Sequence, residues 1–431
     1  MPSMRADEAA TLTDQLQTSL AEAIEGHEGV TRRAVLGGLA MAGGSALAGV
    51  GAADEDHGES EHGHFGATGA YEGSRFDPFG YLREFNTGAE SGSRAAIGGR
   101  SDGLNAGVYE EDGRTVREFD VTAIDLDLEI LPGITMPLWT YNGQVPGPTL
   151  RAEEGDLIRV NFVNGSRKHA HTIHPHLRNL NPRMDGIPQN GPGVLDPGES
   201  FTYEWIAQPA GTHLYHCHSL PLKAHIHRGL YGVIVVDPDP ERVRENPREY
   251  LDYHGPITEA VRERAVRAAK SRNMISYPDF VPEGYDGIDE QVMVMNGFDT
   301  NFDGSNEVYA ANTRGFCYAP AESDGKGDWE SGPTRHPIQV DRADLVRIHL
   351  VQATEFDFVN SFHTHSQFFD YYDAGTSLFP NRSTIDTVLL CQAQRGVLEM
   401  DYRDHEPGLY MFHAHQSEFA ELGWMSFFEV S

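Results

Sequence analysis

The chain is 431 residues long, 39% hydrophobic and 10% aromatic, which is ample material for two globular cores. Aspartate and glutamate number 65 against 33 lysine and arginine, and the resulting formal charge of −32 argues against a nucleic-acid partner. Lysine occurs only at positions 168, 223, 270 and 326, a surface suited to high salt, where screening relieves self-repulsion; an ordinary acidic secreted surface is the other reading.

In chain order, Thr31-Arg32-Arg33-Ala34-Val35-Leu36 precedes a small, apolar run to about residue 53, so residues 1–53 resemble a twin-arginine export signal. The run is Gly- and Ala-rich and short for a permanent membrane span, although a retained N-terminal anchor is the alternative. An extracellular or cell-surface location follows. Residues 54–104 are rich in Gly, Ser, Asp, Glu and His and read as a flexible polar linker, with His57, His62 and His64 part of a solvated tail.

From about residue 117 the pattern is of short β-strands: Val121–Ile130, Leu157–Val163, Ser200–Ile206, Gly232–Val236, Leu345–Leu350 and Val397–Asp401. Val145 to Pro148 and Asp196 to Glu199 are turns. This predicts an all-β protein of two Greek-key sandwiches, spanning 105–238 and 288–431. The segment 239–287 between them holds one helix, Ile257–Lys270, whose alternating charges suggest an exposed face.

Four pairs of histidines sit one residue apart: His174/His176, His216/His218, His363/His365 and His413/His415. One pair encloses a cysteine, His216-Cys217-His218. In an extended strand Cys217 faces one way and both histidines the other, so one strand can serve two metal centres back to back. A mononuclear blue-copper site needs two histidines and a thiolate, with a weak axial group. Cys217 supplies the thiolate, a returning loop supplies His225 or His227, and the upstream strand supplies His171 or His169. Leu230 stands in the axial position and cannot ligate, which predicts a comparatively high potential. The remaining eight imidazoles suffice for three further copper ions. The early-then-late placement of the pairs in each half suggests an internal duplication.

These residues, with Trp139 to Pro148 and Gly408 to His415, resemble the signatures of the multicopper oxidases over about residues 117–431. The resemblance is to the two-domain, laccase-like subgroup, related to the copper nitrite reductases. It implies cupredoxin-like domains and about four copper ions per chain. Type 1 copper falls to His171, Cys217 and His225, and type 2 to His174 and His363. The type 3 pair falls to His176, His216, His218, His365, His413 and His415. Ala414 stands where Cys217 stands in the first half, so the second domain carries no type 1 site. Asp185 is placed as the acidic proton donor, and Glu418 as a second candidate. Dioxygen and a small reducing substrate or metal ion are the implied partners. A homotrimer that completes the trinuclear site between subunits is the implied assembly.

The main rival is a copper nitrite reductase, but His174 occupies the place of that enzyme's catalytic aspartate, and His218 is an extra ligand. A purely electron-transferring or copper-storing protein would leave eight histidines without a use. Scattered methionines give no Met-rich copper-binding insert. Cys317 and Cys391 are read either as a disulfide or as two buried thiols.

Overall fold

The computed structural model describes residues 78–83, 85–88, 107–131, 134–312, 314–319 and 337–431. The export-signal segment, most of the 54–104 segment, and His57, His62 and His64 lie outside the described residues. The first sandwich comprises β1 (Val108–Glu111), β2 (Arg114–Leu131), β3 (Ile134–Tyr141), β4 (Leu150–Glu153), β5 (Leu157–Asn164), β6 (His174–Pro175), β7 (Ser200–Ile206), β8 (Gly211–His216) and β9 (Tyr231–Asp237). One sheet runs β1-β2-β5-β7 with β3 also on β2, and the facing sheet runs β4-β9-β8-β6. Period-two burial is plain in β5, where Ile158, Val160 and Phe162 turn inward between partly exposed neighbours.

The second sandwich comprises β10 (Gly287–Phe298), β11 (Val308–Ala311), β12 (Ile338–Val340), β13 (Asp344–Gln352), β14 (Val359–Thr364), β15 (Phe369–Asp373), β16 (Arg382–Ile385), β17 (Thr387–Cys391), β18 (Arg395–Asp401), β19 (Gly408–His413) and β20 (Met425–Val430). Its sheets run β11-β10-β13-β18-β15-β16 and β12-β20-β19-β14-β17. The order β3-β2-β5-β7 in the first sandwich corresponds to β11-β10-β13-β18 in the second, and β4-β9-β8-β6 to β12-β20-β19-β14. Even the parallel pairs coincide: β2 with β5 and β4 with β9, then β10 with β13 and β12 with β20. The duplication expected from the histidine pairs is therefore a duplication of whole topology.

Helices are confined to the connections. Within the stretch expected to be a free linker, α1 (Pro78–Arg83) buries Leu82 fully, Arg83 forks onto Asp289, and Asn86 exchanges backbone hydrogen bonds with Thr149 and Arg151. α2 (Leu222–His227) lies between β8 and β9, and α3 (Pro240–Glu245) follows β9. α4 (Glu259–Arg272) is capped by the Thr258 side chain, which accepts from Val261 N–H. α4 is less exposed than its charges suggest. Val261, Ala265 and Ala269, spaced four apart, form a stripe packed with Tyr250, Leu251 and Leu378. α5 (Ser417–Glu421) lies between β19 and β20.

Neither reading of Cys317 and Cys391 holds: they form no disulfide, and they are not both buried, Cys317 being buried and Cys391 exposed. Among the described residues, no helix is long and apolar enough to cross a membrane.

Candidate metal centres

Beyond β8 the chain stays extended through Cys217, whose N–H donates to the Leu230 carbonyl at 3.0 Å. Cys217 is fully buried in the first core with Trp139, Ile173 and Leu230. Its Sγ lies 3.2 Å from His225 Nδ1 and 3.8 Å from His171 Nδ1, and the two nitrogens are 3.1 Å apart. Burial pushes the thiol up, and the Thr172 N–H aimed at Sγ from 3.4 Å offsets part of this by favouring the thiolate. Burial first, then the neighbouring imidazole of His225, lowers His171 to about 3, while burial and His169 lower His225 to about 4. Both rings are neutral near pH 7, the form that binds a metal.

His225 arrives on α2 and not on a loop. Residues two apart on a helix do not share a face, so His227 turns away to the second sandwich. There its Nε2 accepts from Asp299 N–H at 2.7 Å and its ring meets Phe356 at 4.9 Å. His169 is exposed and lies against Trp139, with ring centres 4.3 Å apart. The structure therefore brings His171 and His225, rather than His169 and His227, to Cys217.

The eight paired histidines form two sets of four with the same construction. In the first, antiparallel pairing sets His174 opposite His216, and in the second, His363 opposite His413. His176 N–H donates to Leu214 O at 2.8 Å, as His365 N–H does to Met411 O at 2.9 Å. His218 N–H donates to Thr172 Oγ1 at 2.9 Å, as His415 N–H does to Ser361 Oγ at 2.8 Å. The Nδ1–H groups of His174, His216, His363 and His413 donate to the carbonyls of Asp185, Cys217, Asp386 and Ala414 at 2.6 to 2.9 Å. That fixes the tautomer and leaves Nε2 for a ligand. The Nε2 atoms of His176 and His216 converge to 3.0 Å, and those of His365 and His413 to 2.9 Å. Among the described residues, no ring contact or hydrogen bond joins one set to the other. His365 and His415 are exposed.

The register also shows why the second sandwich lacks a thiolate centre. Ala414 N–H donates to Trp424 O and Trp424 N–H to Phe419 O, just as Cys217 N–H donates to Leu230 O and Leu230 N–H to His225 O. Ala414, Phe419 and Trp424 thus occupy the places of Cys217, His225 and Leu230, and Asn360, three residues before His363, that of His171.

Asp185 caps a short 3-10 turn, Pro182–Met184, and its Oδ1 lies 3.3 Å from His174 Nδ1. The glycine after it is a steric requirement. A Cβ on Gly186 (φ +70°) would lie 1.8 Å from the Ile173 carbonyl oxygen. The Asp-Gly turn presses the acid against the strand that carries His174. Glu418 lies exposed in the first turn of α5, where its charge acts on the Tyr309 hydroxyl. Sequence reasoning missed Asp386, the counterpart of Asp185 in the second set, with Oδ2 3.8 Å from His363 Nδ1. It reaches His363 because β17 pairs with β14, a contact that no local motif signals.

The donors fit copper. One cysteine sulfur and two imidazoles converge in a buried core, and the other eight donors are all imidazoles, four of them held by carbonyls in one tautomer. Nε2 of His171 and Nδ1 of His218 are buried without a hydrogen-bond partner. Beside the thiolate centre, a cavity of about 540 Å³ opens onto His225 and is lined by Trp139, Lys168, His169, Val194, Leu220 and Pro221 among others.

Two family models described as multicopper oxidase match residues 126–241 and 300–431. A crystal structure of a multicopper oxidase is 41% identical with a TM-score of 0.62, covering 84% of this chain and 99% of that one. A copper nitrite reductase from Nitrosomonas europaea superposes with a TM-score of 0.55 at 21% identity, covering 73% of this chain and 94% of that one, a likeness of fold alone. Over shorter stretches, a multicopper oxidase of Talaromyces pinophilus is 41% identical over 108 residues, 25% of this chain and 17% of the relative. An L-ascorbate oxidase of Cucumis sativus is 40% identical over 111 residues, 25% of this chain and 18% of the relative. The matches thus span less than a fifth of these two relatives' own length.

Proposed function

The chain belongs to the multicopper oxidase family, and from that premise we propose that it is a laccase-like oxidase. It takes single electrons from a small reducing donor beside His225 and passes four of them, with four protons, to one dioxygen. In balance, four donors DH and one O2 give four D radicals and two waters. Copper, when bound, supplies the one-electron storage and the reduction of dioxygen. His171, Cys217 and His225 would hold type 1 copper. His174 and His363 would hold type 2, and the other six paired histidines the type 3 pair.

The observation that carries this reading is the His216-Cys217-His218 tripeptide. The buried Sγ belongs to one centre and the two flanking imidazoles to another, so only a few backbone bonds separate them. Asp185 orients His174 through its carbonyl and sets its carboxyl group beside the ring, in place to relay protons. Two similar half-sets, separate in one chain and with His365 and His415 exposed, support a trinuclear site completed between copies in a closed ring, as in a homotrimer. Export by a twin-arginine-type signal and adaptation to high salt belong to the same proposal, on the strength of Arg32-Arg33 and the −32 charge.

The alternative, a nitrite reductase, is favoured by the shared fold and opposed by His174, His218 and the second complete set of four. Copper per chain on the copper-loaded protein, read with absorption and spin-resonance spectra, separates the two. About four ions with a spin-silent pair support the oxidase. About two ions without that pair support the reductase and make nitrite turnover the next assay.

A further inference from the structure

The cavity over His225 is charged against the grain of the molecule. In a chain of net charge −32 with four lysines, one of those lysines lines this cavity, within the exposed run Arg167-Lys168-His169. None of the lining residues is a carboxylate or a thioether. Asp125 lies outside the lining, accepting from Ser166 Oγ at 2.8 Å and Arg167 N–H at 2.9 Å, and its charge acts on His171 and Arg228. Apart from Lys168, Ser219 and the two histidines, the walls are apolar, Trp139, Val194, Leu220 and Pro221 among them, with the Trp139 and His225 rings 4.7 Å apart.

We propose that Lys168 is the specificity-determining charge of this cavity, and that it favours aromatic electron donors bearing a carboxylate or sulfonate over neutral and cationic ones. The proposal rests on the oxidase reading above and names its substrate class. A cuprous or manganous ion would find no hard or soft anionic ligand here and would meet Lys168. A carboxylate-free mouth gives an aromatic amine no counter-ion.

The test uses the copper-loaded full chain at about 0.1 M ionic strength, where a surface charge still acts over a ring's width. Binding of redox-inert naphthalene-2-sulfonate is compared with that of its cationic isostere, 2-naphthyltrimethylammonium, by calorimetry. The anion is expected to bind at least about tenfold more tightly, and Lys168→Glu to bring the two to about parity, with Lys168→Gln between them. In turnover, the ratio of kcat/KM for a carboxylated phenol over its amide should fall about tenfold in Lys168→Glu. Lys168 is exposed, and an unchanged blue absorption shows that the variants fold. Equal binding of the two probes, binding of neither, or a ratio that ignores residue 168 overturns the proposal. Failure of the oxidase reading looks different: no dioxygen uptake with any donor, whatever the probes do.

Discussion

Glu290 tests whether the two sandwiches are held together by buried charge. It lies on β10 with its side chain 8% exposed, facing Arg151 of β4 and Arg347 of β13, themselves 4% and 1% exposed. Arg151 donates to it at 2.5 and 3.2 Å, His349 Nε2 at 3.1 Å, and Arg347 Nη1 lies 3.8 Å away. Burial alone would raise this carboxyl, but Arg151 and His349 hold it well below the usual range. Asp237 of β9 shares Arg151 with Glu290, and Glu399 of β18 shares Arg347 with it and also pairs with Arg272 of α4, so one network ties the first sandwich, the connecting helix and the second sandwich. Glu290→Gln keeps the shape but strips one negative charge from among buried cations and turns an amide donor toward Arg151. Breaking a buried pair in this way costs about 3 to 5 kcal/mol. Glu259→Gln breaks an exposed pair with Arg244, 3.5 Å long, and should cost no more than about 1 kcal/mol. In urea the Glu290 variant should lose about 1 M or more of midpoint, and the single transition should begin to split as the sandwiches uncouple. A Glu290→Gln midpoint as close to the parent's as that of Glu259→Gln would refute the network's role.

Cys217→Ser should abolish the blue absorption and donor-driven dioxygen uptake while leaving about three coppers per chain, and retained colour would reject the ligand assignment. Leu230→Met changes volume little, costs under about 1.5 kcal/mol, and brings a thioether to the axial side. A redox titration should find a lower type 1 potential, and an unchanged one would remove Leu230 from that position. Asp185→Asn keeps the carbonyl that holds His174 but loses the acid. Dioxygen reduction should slow by about 10²-fold or more at unchanged copper content, measured by stopped-flow reoxidation. For the metal-free chain, burial lowers His171 and His213 to about 3 and His216, His225 and His227 to about 4. Below about 6.5 the unfolded chain binds protons that the fold excludes, so stability is full above that pH and falls from there toward 4. At pH 5.5 each such histidine costs about 1.4 kcal/mol. Urea midpoints of chelated protein that do not fall between pH 7.5 and 5.5 would contradict this.

The strands were legible because their alternation is local: each of the six expected strands is present, and most grow by a residue or two at their ends. The four histidine pairs and Cys217 were legible because a two-residue spacing and an extended chain already dictate faces. His225 and His171 were favoured from the sequence, but their competitors His227 and His169 could not be dismissed there: α2 has only six residues, too few for a periodic pattern, and a helix sorts the two histidines differently from a loop. Position 171 is fixed by reciprocal backbone hydrogen bonds with Leu195, 24 residues downstream, at 3.0 and 3.1 Å. The buried stripe of α4 was hidden under charges that share its turns.

The second sandwich shows how the same fold is completed where an alanine stands in the cysteine's place. A buried imidazole is tolerated when a metal or a hydrogen bond satisfies its nitrogens, and is costly otherwise. Once the thiolate position is Ala414, the surrounding ligands have nothing to bind. An apolar ring at the place of His225 then packs better than an orphaned imidazole. Phe419 stacks on Tyr309 at 3.9 Å, and Trp424, fully buried, still sends its indole N–H to Ser361 O at 3.1 Å. Ser361 in turn positions His415, as Thr172 positions His218. The residues that replaced the first kind of centre thus hold the histidines of the second kind, and this explains how one sandwich can lose its thiolate site while keeping its four-histidine set in register.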